Sequence, residues 1–165
     1  MTEKNEEEEK EDHERTFLCV VDESEELSQA LRFACTRAMN SGGRVALLYV
    51  IEPAEFQHWM AVGDLMREER REEAEEMLNV VASVVQRRIG TTPVIYIREG
   101  NVTEELISLI DEESSISVLV LGAATGPEGP GPLVSYIVQK MAGRLRIPIT
   151  IVPGSLTDEQ IDAIC

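Results

Sequence analysis

Short apolar runs alternate with longer amphipathic segments along most of the chain. Five runs have the length and the β-branched content of buried strands. They lie at residues 17–21, 44–51, 93–98, 117–121 and 148–152. Four intervening segments repeat apolar residues at helical spacing, at about 24–42, 64–89, 101–113 and 132–145. Because strands separated by helices of this length form βαβ units, the pattern predicts an α/β fold: an open five-stranded parallel sheet with helices on both faces.

Polar residues mark the ends of several predicted helices. Ser24 is a candidate N-cap of the first helix, with Glu25 and Glu26 in its first turn, where the helix dipole favours anions. Gly42 is the candidate C-cap of the same helix. Asn101, followed three residues later by a glutamate, predicts the start of the third helix.

The C-terminal residues 155–165 form a tail with a helix of its own. Thr157 and Gln160 match the capping-box pattern, which predicts a short helix at 158–164. So short a helix is marginal alone, so Ile161 and Ile164 are expected to dock on the body of the domain.

The first 15 residues differ in composition from the rest of the chain. Residues 1–16 carry eight acidic and three basic side chains and no apolar periodicity. This composition is typical of a disordered acidic arm, which serves either to solubilise the protein or to dock a partner. The expected organisation is an arm at 1–15, a folded domain at 16–154 and the C-terminal tail.

Charge and cysteine content narrow the choice of partners and compartment. The formal net charge is −16, and such a field repels phosphate backbones and anionic lipids, which argues against nucleic-acid and membrane partners. No secretory signal precedes the first strand. Three cysteines without a CxxC spacing are typical of reduced thiols. A cytoplasmic location is therefore expected.

Residues at the carboxyl ends of the predicted strands are the candidates for chemistry, because open α/β sheets bind ligands there. Asp22 follows the first strand, Val50 and Glu52 end the second, and Gly122 ends the fourth. The sequence has neither GxGxxG after the first strand nor a Walker A string. Its two histidines have no partner at metal-ligand spacing. We therefore expect no catalytic residues and no metal.

Several landmarks in order resemble the universal stress protein family. These are "FLCVVDESEELSQALRFACTRAMNSGGRVALLYVIEP", "IREGNVTEELISLIDEESSISVLVLGAATG" and "RIPITIVPG". The resemblance covers roughly residues 16–154. It implies the Rossmann-like, doubly wound sandwich of that family and a role in the stress response. Some members of the family bind ATP and others do not.

The loop after the fourth strand, "GAATGPEGPGPLVSY", departs from the pattern of the ATP-binding members. That pattern is Gly, two residues, Gly, nine residues, Gly, then Ser or Thr. Counted from Gly122, it falls on Thr125, Ser135 and Tyr136. The glycine pattern is not satisfied in either of two shifted registers, one of which starts at Gly126. The loop also contains three prolines, which have no N–H to donate to a phosphate.

The positions that contact the nucleoside match the nucleotide-binding relatives better than the phosphate loop does. In the nucleotide-binding relatives, the acid after the first strand and the backbone at the end of the second contact the nucleoside, and Asp22 and Val50 match those positions. Asp22 as a helix-capping acid is an equally open interpretation. Glu23 stands where relatives usually carry glycine. The tentative nucleotide-contacting set is Asp22, Val50, Gly122, Gly126 and Ser135.

The fifth strand is expected at an edge of the sheet. The sequence of Ile149, Thr150, Ile151 and Val152 is apolar or β-branched and carries no charge, so it is an aggregation hazard unless another surface covers it. Relatives pair the fifth strands of two subunits about a two-fold axis, which implies a homodimer through these four residues.

Three functions remain open at this stage. The first is a non-enzymatic, dimeric stress-response protein that acts on an unknown protein partner without a cofactor. The second is an adenine-nucleotide-binding switch of the same fold. The third is a small hydrolase or transferase that uses Asp22 in the cleft.

Overall fold

The computed structural model describes residues 15–53 and 60–165. Residues 1–14 of the acidic arm lie outside the described residues. So do the loop residues Phe56, His58 and Trp59, for which the sequence leaves open either a lid over the cleft or packing on a helix.

Five strands form one parallel sheet in the order β3-β2-β1-β4-β5. They are β1 (Thr16–Val20), β2 (Arg44–Ile51), β3 (Val94–Glu99), β4 (Ile116–Ala123) and β5 (Ile149–Pro153). The chain runs outward from β1 to one edge, and then returns through β4 to the other edge. This reversal places the switch point between β1 and β4, so the predicted fold class is confirmed.

Helices cover both faces of the sheet. They are α1 (Leu27–Ser41), α2 (Met60–Ile89), α3 (Val102–Glu112), α4 (Pro132–Tyr136) and α5 (Asp158–Ile164), with a π-helical turn at Ile137–Met141. Alternate residues of β1 enter different cores, as the two-residue repeat of a strand requires. Phe17 and Cys19 pack with α1, α2 and α5, whereas Leu18 and Val20 pack with α3 and α4.

The start of α1 differs from the prediction. Ser24 is not its N-cap, because the helix begins at Leu27 with Glu26 at the N-cap position. The backbone N–H and the hydroxyl of Ser24 both donate to Asp22 Oδ1. Asp22 thereby holds a separate turn between β1 and α1. Glu25 and Glu26, which are predicted in the first turn of the helix, precede it instead. Gly42 caps the other end in the left-handed conformation, at φ 69°, as predicted.

The helix predicted for 132–145 is shorter than expected. It is α-helical only over Pro132–Tyr136, and continues as one π-helical turn to Met141. Arg146 fixes the chain just beyond, since its guanidinium donates to the carbonyl oxygens of Ile110 at 2.7 Å and Ile116 at 3.0 Å. These hydrogen bonds tie the segment before β5 to the end of α3 and the start of β4.

The C-terminal helix α5 packs on α1. Thr157 and Gln160 form the predicted capping box. Ile161 is fully buried as predicted, but Ile164 is 63% exposed, so the prediction of docking was wrong for Ile164. Arg32 of α1 holds the helix through two hydrogen bonds to Asp162, of 2.9 Å and 2.7 Å.

Candidate functional site

A cleft opens at the carboxyl ends of β1 and β2 and is also lined by residues of α4, which follows β4, so it lies beside the switch point where the topology predicts a ligand site. Its main chamber has a volume of about 540 Å³. Its lining includes the buried Val21 and Val50, the N-terminus of α3 and the first turn of α4. The structure thus places Asp22 and Val50 in the same cavity.

A second, narrower cavity of about 160 Å³, here called the arm of the cleft, is lined by Pro130 and Gly131 of the proline-containing loop. Val20, Asp22, Pro132 and Leu133 line both the chamber and the arm, so these residues lie at the boundary between the two compartments. Gly122 lines the arm with Glu26 of the turn before α1.

Gly122 is required by packing between segments of the chain. A Cβ atom at this position would lie 2.5 Å from the carbonyl oxygen of Glu26 and 2.9 Å from its Cγ. The start of α1 therefore rests directly on the end of β4. The glycine that begins the loop is explained by this close approach of two backbones, without reference to a ligand.

Gly126 and Ser135 line neither compartment of the cleft. Gly126 accepts a hydrogen bond from Gly129 N–H at 3.3 Å, within the loop itself. Ser135 N–H donates to Gly131 at 3.0 Å in the first turn of α4. The structure thus separates these two residues of the tentative set from the other three.

The charged residues that line the cleft, among those described, are all acidic. Asp22, Glu23 and Glu52 line the chamber, and Glu26 lines the arm. Arg70 reaches the rim, where its Nη1 donates to the carbonyl oxygen of Glu52 at 2.5 Å. A cleft lined by negative charges disfavours the binding of anions.

Two tyrosines from different elements line the chamber. Tyr49 comes from β2 and Tyr136 from α4. Burial, and next the negative charge of Glu23 and Glu73, raise the pKa of Tyr49, so its phenol stays neutral at physiological pH.

Sequence reasoning did not single out Glu26 and the two tyrosines as site residues. Their positions follow from contacts between segments distant in sequence, and only the end-of-strand position of Tyr49 gave any signal. In the described part of the chain, no group of three or more His, Cys, Asp or Glu side chains is placed to hold a metal ion. Nor is any helix there long and apolar enough to cross a bilayer.

A sequence profile of the universal stress protein family matches residues 14–153. The match spans most of the chain, so this protein belongs to the universal stress protein family. The profile ends at the last residue of β5, so α5 lies beyond the matched region. No curated protein matches the sequence significantly.

Solved structures of universal stress proteins share the fold. UspA from Lactobacillus plantarum is 17% identical, with a TM-score of 0.69 over 84% of this chain and 97% of its own. A universal stress protein solved in complex with cAMP is 16% identical, with a TM-score of 0.63 over 86% and 98%. One from Archaeoglobus fulgidus, solved in complex with dAMP, is 17% identical, with a TM-score of 0.60 over 85% and 98%. Identities this low show similarity of fold alone.

Proposed function

We propose that this chain is a non-enzymatic, homodimeric stress-response protein of the cytoplasm that acts through a protein partner and does not depend on ATP. The observation that carries the ATP-independent part is the acidic lining of the cleft. Asp22 and Glu26 line the arm beside the β4–α4 loop, the loop that holds the phosphates in the ATP-binding relatives. Each phosphate group would meet like charges there, without a lining cation among the described residues to offset them.

The β4–α4 loop supports the same conclusion. Universal stress proteins that bind ATP resemble one another in a glycine-rich loop whose N–H groups hold phosphates. Here Pro127, Pro130 and Pro132 have no N–H. Gly129 N–H and Ser135 N–H are already bonded within the loop and helix.

Calorimetric titration with Mg-ATP tests this proposal. We expect a dissociation constant weaker than about 100 μM. A low-micromolar constant would overturn the ATP-independent function and would mean that the loop rearranges into a phosphate cradle.

The dimer proposal rests on the exposed edge of β5. In the described residues β5 pairs only with β4, and Ile151 is 39% exposed on this edge. Strand β3 forms the opposite edge, and there Ile95 is also 39% exposed. The two isoleucines are therefore matched in residue type, exposure and edge position.

Light scattering on two variants tests the dimer. Ile151→Lys is expected to convert the protein to monomer at tens of micromolar, because a charge would be buried in the pairing of two β5 strands. Ile95→Lys is the matched control and is expected to remain a dimer. A monomeric wild type, or a dimer that only the Ile95 variant disrupts, would refute the β5 interface.

A nucleotide-binding switch is the second candidate, and the chamber favours it. Its volume of about 540 Å³ lies in the ordinary range for small-molecule sites, and Asp22 and Val50 line it together. A hydrolase centred on Asp22 is the third candidate. It requires a turnover that an Asp22→Asn variant abolishes.

A further inference from the structure

The shape of the cleft limits the ligand that it accommodates. The chamber of about 540 Å³ is wide, and the arm of about 160 Å³ admits only a small group. Because both compartments are lined by Asp22, any ligand that spans them passes this carboxylate. A ligand that occupies both compartments would combine a compact end group with a larger body.

The end group must be compatible with two acids. Asp22 and Glu26 are the ionisable residues that line the arm, and Glu26 is half-buried there. Glu23 and Glu52 add negative charge at the chamber. Arg70 is the counter-charge at the rim, and its Nη1 is bonded to a backbone carbonyl. A cationic group is the complement of this lining.

The body of the ligand must be compatible with apolar and aromatic lining residues. Val21 and Val50 line the chamber and are buried. Tyr49 and Tyr136 line it from two different elements, and Tyr136 is 44% exposed. Tyrosine rings attract cations and pack against apolar groups, and carboxylates beside them strengthen the preference for a cation.

We propose that the cleft binds a small organic cation, a protonated amine with an apolar or aromatic body. Its ammonium group lies in the arm between Asp22 and Glu26, and its body lies against Tyr49 and Tyr136. The inference rests on the proposed function in one respect, because it requires a cleft that excludes nucleotide phosphates.

Three probes that differ mainly in charge test the proposal. These are 2-phenylethylamine, the uncharged 2-phenylethanol and the anionic 3-phenylpropanoate, each titrated into the isotopically labelled full-length protein and followed by backbone amide shifts. The amine is expected to shift the amides of the β1–α1 turn and of β2, and to bind about tenfold more tightly than the alcohol. The anion is expected to give no saturable shifts. Equal affinity for amine and alcohol, or no binding of the amine, would overturn the inference.

Variants of the turn before α1 provide the residue-level test. Glu26→Gln and Asp22→Asn are each expected to weaken amine binding by about threefold to fivefold. Glu25 lies in the same turn, is exposed and lines neither compartment, so Glu25→Gln is the matched control and is expected to bind like the wild type. Equal losses in all three variants would show a general charge effect and would contradict the assigned position. Mg-ATP titrated in parallel separates the two claims: ATP binding refutes the proposed function, whereas failure of the amine alone refutes only this inference.

Discussion

Replacing Gly122 by alanine puts a methyl group where the start of α1 already lies. The new Cβ would be 2.5 Å from the Glu26 carbonyl oxygen and 3.0 Å from its carbonyl carbon. Both are backbone atoms, so the helix start and the end of β4 must move apart. Overpacking of this kind costs about 1–3 kcal/mol of unfolding free energy. For a domain of this size, the expected fall in melting temperature is about 3–9 °C.

Gly126→Ala is the matched control in the same loop. No atom lies within 4 Å of a Cβ built at Gly126, and its backbone is outside the left-handed region. Alanine there is expected to be neutral, or to stabilise the protein by about 0.4–1 kcal/mol through the unfolded state. Thermal unfolding followed by circular dichroism compares both variants with the wild type. Unchanged stability in Gly122→Ala would refute the packing explanation of this glycine.

Three further predictions concern the C-terminal tail and the acidic N-terminal arm. Ile161→Ala should lower the unfolding free energy, measured by chemical denaturation, by about 2–4 kcal/mol, because Ile161 is buried. Ile164→Ala should change it by less than about 0.5 kcal/mol, because Ile164 is exposed. Similar effects of the two substitutions would contradict the docking of α5 through one isoleucine. The hydrogen bond from Arg32 lowers the pKa of Asp162. The wild type should therefore be more stable than Asp162→Asn at neutral pH, and should lose that advantage as the pH falls below about 4. An advantage unchanged by acid would argue against the ion pair. Deletion of the acidic arm, residues 1–15, should leave the melting temperature within a few degrees, because this segment has no apolar surface to bury. A large drop would show that it packs on the domain.

The sheet could be predicted from the sequence because each strand is marked by its own local pattern. The bounds of β2 were predicted to the residue, and the capping box of Thr157 and Gln160 located α5. The N-cap at Ser24 failed for a physical reason: the preceding Asp22 accepts from both its N–H and its hydroxyl, which forms a turn before the helix. The spacing of Ile161 and Ile164 did not reveal which of them faces α1.

The site was harder to predict because it depends on contacts between distant segments. The approach of Glu26 to Gly122 joins residues almost a hundred positions apart, and no local pattern encodes it. The sequence placed Gly126 and Ser135 in the tentative nucleotide-contacting set, and no local pattern showed that these two residues lie outside the lining of the cleft. The acidic lining of the cleft could not be predicted, because it forms where the β1–α1 turn lies against the β4–α4 loop.

The most direct test of the central claim, that this cleft does not hold a nucleotide, is the nucleotide content of the purified protein. The protein is denatured without added ligand, and the released small molecules are quantified by mass spectrometry. An acidic cleft with a proline-containing loop predicts no stoichiometric adenine nucleotide. Release of about one adenine nucleotide per chain would contradict the claim, since retention through purification requires tight binding.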